Sequence, residues 1–205
     1  DSQEGDLLDL QDELTGRISS SLDYHLTDIE SRHSLPERPD NVNAIDLTLR
    51  GWSTLNKPVS RENLVAARQL FEAALRLEPD YAHPMVGLAE THLFEIGNRW
   101  SADPAAQLRA ADVAINRALE LDPNCGNAHH RYAILLMTSA RADEAFAQIK
   151  LARQLDPTSL PIDVTEGFLH YGDRHYARAI DHLQRTLERE PHFWMAHYWL
   201  AQVLG

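Results

Sequence analysis

Apolar residues recur every three or four positions along most of this chain, and that spacing predicts an all-helical protein. In the first such stretch, seven leucines and isoleucines follow one another at spacings of three or four residues from Leu7 to Ile29. It predicts one amphipathic helix of about 25 residues with a narrow apolar stripe. Pro36 and Pro39 then break the pattern, because proline cannot continue a helix. We therefore expect an N-terminal helix with a proline-containing linker over residues 1–40 and a helical array over residues 41–205.

The apolar stripe of the N-terminal helix requires a partner surface. Two partners fit the pattern. One is the body of this chain or a neighbouring domain of a longer protein, of which the chain, beginning with Asp1, is interpreted as a piece. The other is a second copy of the helix in a homodimer, with Leu14, Ile18 and Leu22 in the contact.

A second pattern is a sequence motif that recurs four times, in which a predicted helix ends at an acidic residue followed by a proline. The four copies of the motif occupy residues 74–79, 118–123, 152–157 and 186–191. Their prolines are 44, 34 and 34 residues apart. A period of 34 residues is the length of one helix-turn-helix repeat. The pattern predicts four such repeats followed by the first helix of a fifth.

The residues inside each repeat resemble the tetratricopeptide repeat family. When each proline is numbered as repeat position 32, small residues occupy positions 8 and 20, as Ala133 and Ala145 do in the third repeat. A large apolar residue, such as Ile149 or Leu183, occupies position 24. Small residues let two helices approach closely, and the large residue fills the space between repeats. The resemblance implies an all-α solenoid of helical hairpins.

The helix boundaries follow from capping residues. In the second repeat, which is ten residues longer than the last two, Asp103 is expected as the N-cap and Pro104 as the first helical residue. The extra residues predict an enlarged turn or an extended first helix. Residues that follow the closing prolines, such as Asn124 and Thr158, are expected to cap the next helices.

In tetratricopeptide arrays the first helix of each repeat lines a concave face through positions 2, 5, 9 and 12. The resemblance therefore implies a binding face for a protein or peptide. The residues that we expect on it are His83, Val86, Glu90, Leu93, Asn127, His130, Ile134, Met137, Val164, Phe168 and Tyr171. Their mixed apolar and polar character suits a peptide or helix that buries a few side chains. The convex face, the loops and the ends of the array are the alternatives.

Residues 194–204 have the register of the first helix of a fifth repeat. We expect Leu200, Ala201 and Leu204 to cover the fourth repeat, and Trp199 and Val203 to face outward. Trp199 should then be more exposed than an interior aromatic residue. The apolar end is a candidate contact with an added repeat or a second copy of the chain.

The composition of the chain disfavours several classes of function. The formal net charge of −12 disfavours nucleic acid as a ligand, because phosphate binding needs an excess of Lys and Arg. No run of 18 apolar residues occurs, so no membrane span is expected. Cys125 is the only cysteine, which excludes an internal disulfide and is consistent with the cytoplasm. The thiol is expected to be inert, since reactive thiols need an electropositive pocket.

The 11 histidines are the most tempting candidates for chemistry, above all His170, His175 and His182. Their spacing indicates no ligand pair four residues apart with a third carboxylate in register, and no His-Glu-x-x-His phrase occurs. We expect surface or packed histidines and no metal, cofactor or catalytic residue. A pH-sensing role is the alternative.

Two further segments carry a resemblance to bacterial signalling proteins. Residues 5–14 read Gly-Asp-Leu-Leu-Asp-Leu-Gln-Asp-Glu-Leu, and residues 44–51 follow after a polar linker. In the similar proteins a winged-helix DNA-binding domain or a nucleotide cyclase domain precedes a TolB-like segment and tetratricopeptide repeats. The resemblance implies a non-catalytic regulatory module that binds a protein partner. An oligomerisation scaffold, or the accessory repeats of an enzyme whose chemistry lies elsewhere, are the alternatives.

Overall fold

The structure is a computed structural model that describes residues 43–205, and this range forms nine α-helices and no strand. The helices are α1 (Ala44–Leu55), α2 (Arg61–Leu77), α3 (Ala82–Gly97), α4 (Pro104–Leu121), α5 (Gly126–Thr138), α6 (Ala142–Leu155), α7 (Leu160–Gly172), α8 (Tyr176–Arg189) and α9 (Trp194–Leu204). The all-helical prediction is confirmed. None of these helices is both long and apolar enough to cross a bilayer. The predicted N-terminal helix, with Leu14, Ile18 and Leu22, lies outside the described residues.

The chain divides into two compact units. Unit 1, described over residues 43–91, contains the hairpin of α1 and α2 and the start of α3. Its core is the fully buried Phe71 ring, which meets Trp52 edge-on at a centroid distance of 5.4 Å. A Cβ atom on Gly51 would lie 2.5 Å from this ring, and one on Gly87 would lie 2.4 Å from it. The small residue predicted at position 8 of the first repeat is therefore required by Phe71.

Unit 2 covers residues 92–205 and contains the hairpins α5–α6 and α7–α8. Helix α4 packs on α5, α6 packs on α7, and α9 packs on both α7 and α8. Ala133, Ala145 and Ala179 are fully buried at the predicted close approaches. At Gly167, a Cβ atom would lie 2.8 Å from Cγ of Leu183. The repeat pattern thus correctly predicts which residues form the interior.

The turns inside the hairpins share one helix ending. At the end of α5, the Arg141 amide donates to the Leu136 carbonyl at 2.9 Å, and the Ala140 amide donates to that of Met137 at 3.0 Å. This is a Schellman motif, which requires a left-handed residue between the helices. Ala140 supplies it with φ of 59°. The same geometry recurs at Arg99 and Arg174, whose φ values are 56° and 60°.

The turns between repeats differ from the prediction. Helix α5 has Cys125 as its N-cap, not Asn124, and within the described chain the Cys125 side chain makes no capping hydrogen bond. The acidic residue before the proline orders this turn instead, because the Asp122 carboxylate accepts a hydrogen bond from the Asn124 amide at 3.0 Å. The arrangement recurs as Asp156 with Thr158, before the N-cap Ser159, and as Glu190 with His192, before the N-cap Phe193.

The long second repeat has both of the predicted features. Helix α3 has 16 residues and α4 has 18, whereas α5 has 13 and α6 has 14. The turn between α3 and α4, residues 98–103, is also longer than that between α5 and α6. Asp103 accepts a hydrogen bond from the Ala106 amide at 2.9 Å, and Pro104 begins the helix, so both predicted capping residues are confirmed.

Helix α9 turns a different face to the fourth repeat than predicted. Ala196 is buried there, and Trp199, Leu200 and Val203 pack around it. Ala201 and Leu204 are exposed, so the prediction that they cover the fourth repeat is wrong. The reason is that position 8, which Ala201 occupies, faces the second helix of its own repeat and not the preceding repeat. The prediction that Trp199 and Val203 face outward is also wrong, because both pack on the fourth repeat. Trp199 is half-buried while Phe71 is fully buried, which confirms the predicted order of exposure.

Candidate functional site

The predicted concave residues divide into two groups by exposure. Val86, His130, Val164 and Leu93 are buried, with between 1% and 8% of their surface exposed. These four act in packing and are closed to a partner. The partly exposed residues are His83, Glu90, Asn127, Ile134, Met137, Phe168 and Tyr171. Of these, His83 and Glu90 belong to unit 1, and the other five lie in unit 2.

His130 has a structural role. Its Nε2 atom and the hydroxyl of Thr165 are hydrogen-bonded at 2.7 Å, which joins α5 to α7. Burial lowers the pKa of His130 well below its ordinary value, and the charge of Arg131 adds to this effect. The ring is therefore neutral at pH 7.

The exposed part of the predicted face continues into a group of aromatic rings in unit 2. Phe168 and Trp199 have ring centroids 4.6 Å apart, and Tyr171 lies 6.2 Å from Trp199. Tyr176 is 6.0 Å from Tyr171, and Tyr198 is 5.3 Å from Trp199. We call these five residues the aromatic surface. It brings together α7, α8 and α9, and Tyr176 and Tyr198 are about half exposed.

Two residues of α5 extend the candidate site. Met137 and Phe168 both pack on the buried core shared by α5, α6 and α7, and the Sδ atom of Met137 would lie 3.1 Å from a Cβ placed on Gly172. Asn127 has a buried side-chain oxygen, Oδ1, with no hydrogen-bond partner among the described residues. This oxygen has almost no contact with solvent, so a partner would reach only the exposed part of Asn127.

An ion-pair network lies across α6, α7 and α8. The buried carboxylate of Asp163 is paired with both Arg153 and Arg189. Arg153 also pairs with Glu166, and Arg189 donates to the Thr158 carbonyl at 3.1 Å. Two partners for one buried carboxylate satisfy its charge, which makes the network a structural link between neighbouring repeats.

The same region contains a group that the sequence analysis missed. Glu166, His170 and His182 each bring one potential metal-ligand atom to within 4.8 Å of the others. We call these three residues the His–Glu cluster. Glu166 and His170 are four residues apart on α7, and His182 approaches from α8. The sequence analysis missed this cluster because it considered histidine pairs four residues apart and did not consider the Glu-x-x-x-His spacing of Glu166 and His170.

His170 is the most buried member of the cluster, with 8% of its surface exposed. Its ring lies 5.2 Å from that of His182 and 4.8 Å from that of Phe146. Nδ1 of His170 is buried and has no hydrogen-bond partner within residues 43–205. Burial lowers the pKa of His170, with His182 as the next cause, so the imidazole is neutral at pH 7.

Cys125 is buried between repeats, and burial raises the pKa of its thiol to about 11. The thiolate, which is the nucleophilic form, is therefore scarce at neutral pH. Burial and this pKa agree with an inert cysteine, which stays a prediction.

Comparison with known proteins agrees with this architecture. Residues 165–204, which run from within α7 to the end of α9, match the family model described as tetratricopeptide repeat. No curated protein sequence matches the chain. A solved structure of a thermophilic tetratricopeptide repeat protein of Thermus thermophilus is similar with a TM-score of 0.67 and 18% identity, over 94% of this chain and 98% of that one.

Two further structures share the fold. The pilF protein of Pseudomonas aeruginosa is similar with a TM-score of 0.58 and 20% identity, over 78% of this chain and 67% of that one. YrrB, described as a tetratricopeptide repeat protein with an unusual peptide-binding site, has a TM-score of 0.50 and 20% identity, over 76% and 73% of the two chains. The chain thus has the fold of tetratricopeptide repeat proteins, and its last three helices match the repeat model itself.

Proposed function

We propose that this chain is a non-catalytic binding module that takes a protein or peptide partner on the aromatic surface of unit 2. The observation that carries the proposal is the set of five contacting rings on α7, α8 and α9, with Tyr176 and Tyr198 exposed. Single exposed apolar residues are common, whereas contiguous ones mark interaction sites. Aromatic residues also supply much of the binding energy at interfaces.

Asn127 and Met137 add two kinds of contact. Asn127 is partly exposed, and its side-chain amide group can hydrogen-bond to a peptide backbone. Met137 is flexible and polarisable, and such side chains adapt to different apolar partners. In a peptide that contacts both residues, a hydrogen bond to the Asn127 amide group would fix the position of the peptide along the surface. The aromatic and thioether groups would supply affinity.

The expected ligand is a peptide with an apolar anchor next to Lys or Arg. The faces of Tyr and Trp rings attract cations, and the net charge of −12 favours a basic partner. A related fold is known to bind a peptide, since the YrrB structure is described by its peptide-binding site.

Selection from a phage-displayed library of random peptides, with the full chain as bait, tests the proposal. We expect enriched peptides that combine an aromatic or aliphatic residue with Lys or Arg. Fluorescence anisotropy of a selected peptide should then give a Kd that rises about 30-fold in Tyr171→Ala or Trp199→Ala, the effect of losing one interface hot spot.

Val113→Ala is the matched control, because Val113 is an exposed apolar residue on α4 that takes no part in the ring contacts. Its Kd should equal that of the wild type. Equal weakening by the control and the aromatic variants would contradict the proposal, as would a selection that yields only acidic peptides.

We further propose that the module regulates a bacterial signal-transduction protein in the cytoplasm, either a transcription regulator or a nucleotide cyclase. Support comes from the resemblance of residues 5–14 and 44–51 to the junction in such proteins. The gene sequence upstream of Asp1 tests this. A winged-helix or cyclase domain would agree with it, and any other domain would contradict it.

Light scattering separates the binding module from an oligomerisation scaffold. A monomer agrees with the binding module. A tight dimer that dissociates in Leu14→Asp or Ile18→Asp would favour the scaffold instead, because a charge in an apolar helix seam disrupts it.

A further inference from the structure

We propose that Glu166, His170 and His182 form a binding site for a divalent transition metal, best suited to Zn²⁺. Two imidazoles and one carboxylate make up a known zinc ligand set. All three residues lie on the α7–α8 hairpin and none of them belongs to the aromatic surface, so the proposal does not require the peptide ligand.

The geometry of the cluster suits a small ion. Residues four apart on a helix project from the same face, which places Glu166 and His170 side by side. His182 faces them from α8, and its Nδ1 atom lies 3.7 Å from the Glu166 carboxylate. Ligand atoms around a tetrahedral Zn²⁺ are about 3.4 Å apart, given bonds of about 2.1 Å. Since all three donor atoms already lie within 4.8 Å, small side-chain rotations would close the site.

His170 provides a second, independent observation. A buried imidazole nitrogen normally has a hydrogen-bond partner, and Nδ1 of His170 has none among the described residues. A metal ion bound through this nitrogen would supply the missing partner.

Arg153 limits the affinity of the His–Glu cluster for a divalent cation. It pairs with Oε2 of Glu166, which leaves Oε1 for the ion or requires the guanidinium to move. A second cation, Arg178, also acts electrostatically on His170. These positive charges repel a divalent cation, and their presence distinguishes this site from a closed structural zinc site.

Three protein ligands leave one tetrahedral position for water or for a group from another molecule. Imidazole favours Zn²⁺, Cu²⁺ and Ni²⁺ over Ca²⁺ and Mg²⁺, which prefer all-oxygen sites. Because Zn²⁺ has no visible absorption, Co²⁺ is the suitable spectroscopic probe of the same site.

Titration of the full chain with ZnCl₂ by isothermal calorimetry, and with CoCl₂ by visible absorption, tests the proposal. We expect one saturable site and Co²⁺ bands of a four-coordinate ion. His182→Ala and Glu166→Gln should each weaken binding at least tenfold, since even the loss of a residue that only hydrogen-bonds to a ligand costs about 10- to 100-fold. A hundredfold excess of Zn²⁺ over its Kd should raise Tm by about 5 °C in the wild type and not in His182→Ala.

His192→Ala is the control, because His192 is exposed and lies outside the cluster. It should bind Zn²⁺ as the wild type does. His182 is the preferred target because it is only partly buried, and far-UV circular dichroism of each variant verifies the fold. Unchanged binding in a folded His182→Ala, or no saturable binding by the wild type, would overturn the proposal. Neither result would affect the peptide-binding proposal.

Discussion

The α1–α2 hairpin of unit 1 and the α7–α8 hairpin of unit 2 share one packing rule and differ in chemistry. In each, a glycine at position 8 meets a large apolar residue at position 24: Gly51 meets Phe71, and Gly167 meets Leu183. The first hairpin adds Trp52 to its interior. The second instead has ion pairs and the His–Glu cluster between its helices and their neighbours.

This difference shows that the positions which bring two helices together are separate from those that provide chemistry. Close approach depends on side-chain volume at a few positions and tolerates little variation. The remaining positions tolerate charge as long as each buried charge has a partner. The α7–α8 hairpin can therefore hold Asp163, Glu166 and His170 without losing the fold. Two substitutions and one pH dependence test this separation of packing positions from chemical positions.

The largest effect is expected from Phe71→Ala. The ring is fully buried against two glycines and Trp52, so its removal leaves a cavity that those neighbours cannot fill. The free energy of unfolding should fall by about 3–5 kcal/mol, measured by urea denaturation. Val65→Ala on the exposed side of α2 is the control and should change it by less than about 0.5 kcal/mol. Equal effects of the two would contradict the central role of Phe71.

An intermediate effect is expected from Gly167→Val. Its Cβ would lie 2.8 Å from Leu183, and the added methyl groups would enlarge the clash. Overpacking of this kind costs about 1–3 kcal/mol, measurable as a lower midpoint of urea denaturation. Gly97→Ala provides the comparison, because in the described chain no atom lies within 4 Å of its added Cβ. It should be neutral or stabilising by up to about 1 kcal/mol.

The smallest effect is a pH dependence caused by His130. Because the pKa of the folded state is lowered, the unfolded state binds more protons below about pH 6.5, the ordinary pKa of histidine. The contribution of His130 is therefore complete above pH 6.5 and is lost as pH falls toward the pKa of the folded state. The slope from this one group is at most about 1.4 kcal/mol per pH unit.

Urea denaturation of the wild type and His130→Gln between pH 5 and pH 8 measures this contribution. The variant should be less stable at pH 8, because it disturbs the bond to Thr165, and the difference should shrink as pH falls. A difference that stays constant with pH would show that His130 titrates alike in the folded and unfolded states.

The helices and their contacting faces could be predicted because they follow from local periodicity and side-chain size. Ala133, Ala145, Ala179 and Leu183 are buried as their repeat positions required. The capping role of Asp103 also followed from local sequence. The capping roles of Asn124 and Thr158 did not, because the carboxylates of Asp122 and Asp156 hold the amides of these residues within the turn and each helix begins one residue later, after Cys125 or Ser159.

The concave residues were predicted less well, because repeat position alone does not determine exposure. His130 and Val164 occupy concave positions, yet both are buried. Each of the eleven predicted residues lies on the first helix of its repeat. Whether it reaches solvent depends on how closely the first helix of the following repeat packs against that helix. The face of α9 was misjudged for a related reason, since the contacts of Trp199 depend on where Phe168 and Tyr171 lie.

The amino-acid sequence by itself determined the helical hairpins, their spacing and their small-to-large packing, because these depend on residues near one another in the chain. Only the tertiary structure decided which side chains from different helices meet. The aromatic surface joins α7, α8 and α9, and His182 reaches Glu166 and His170 from another helix. Such encounters depend on the angle and distance between helices, which the packed interior sets and the linear pattern does not specify.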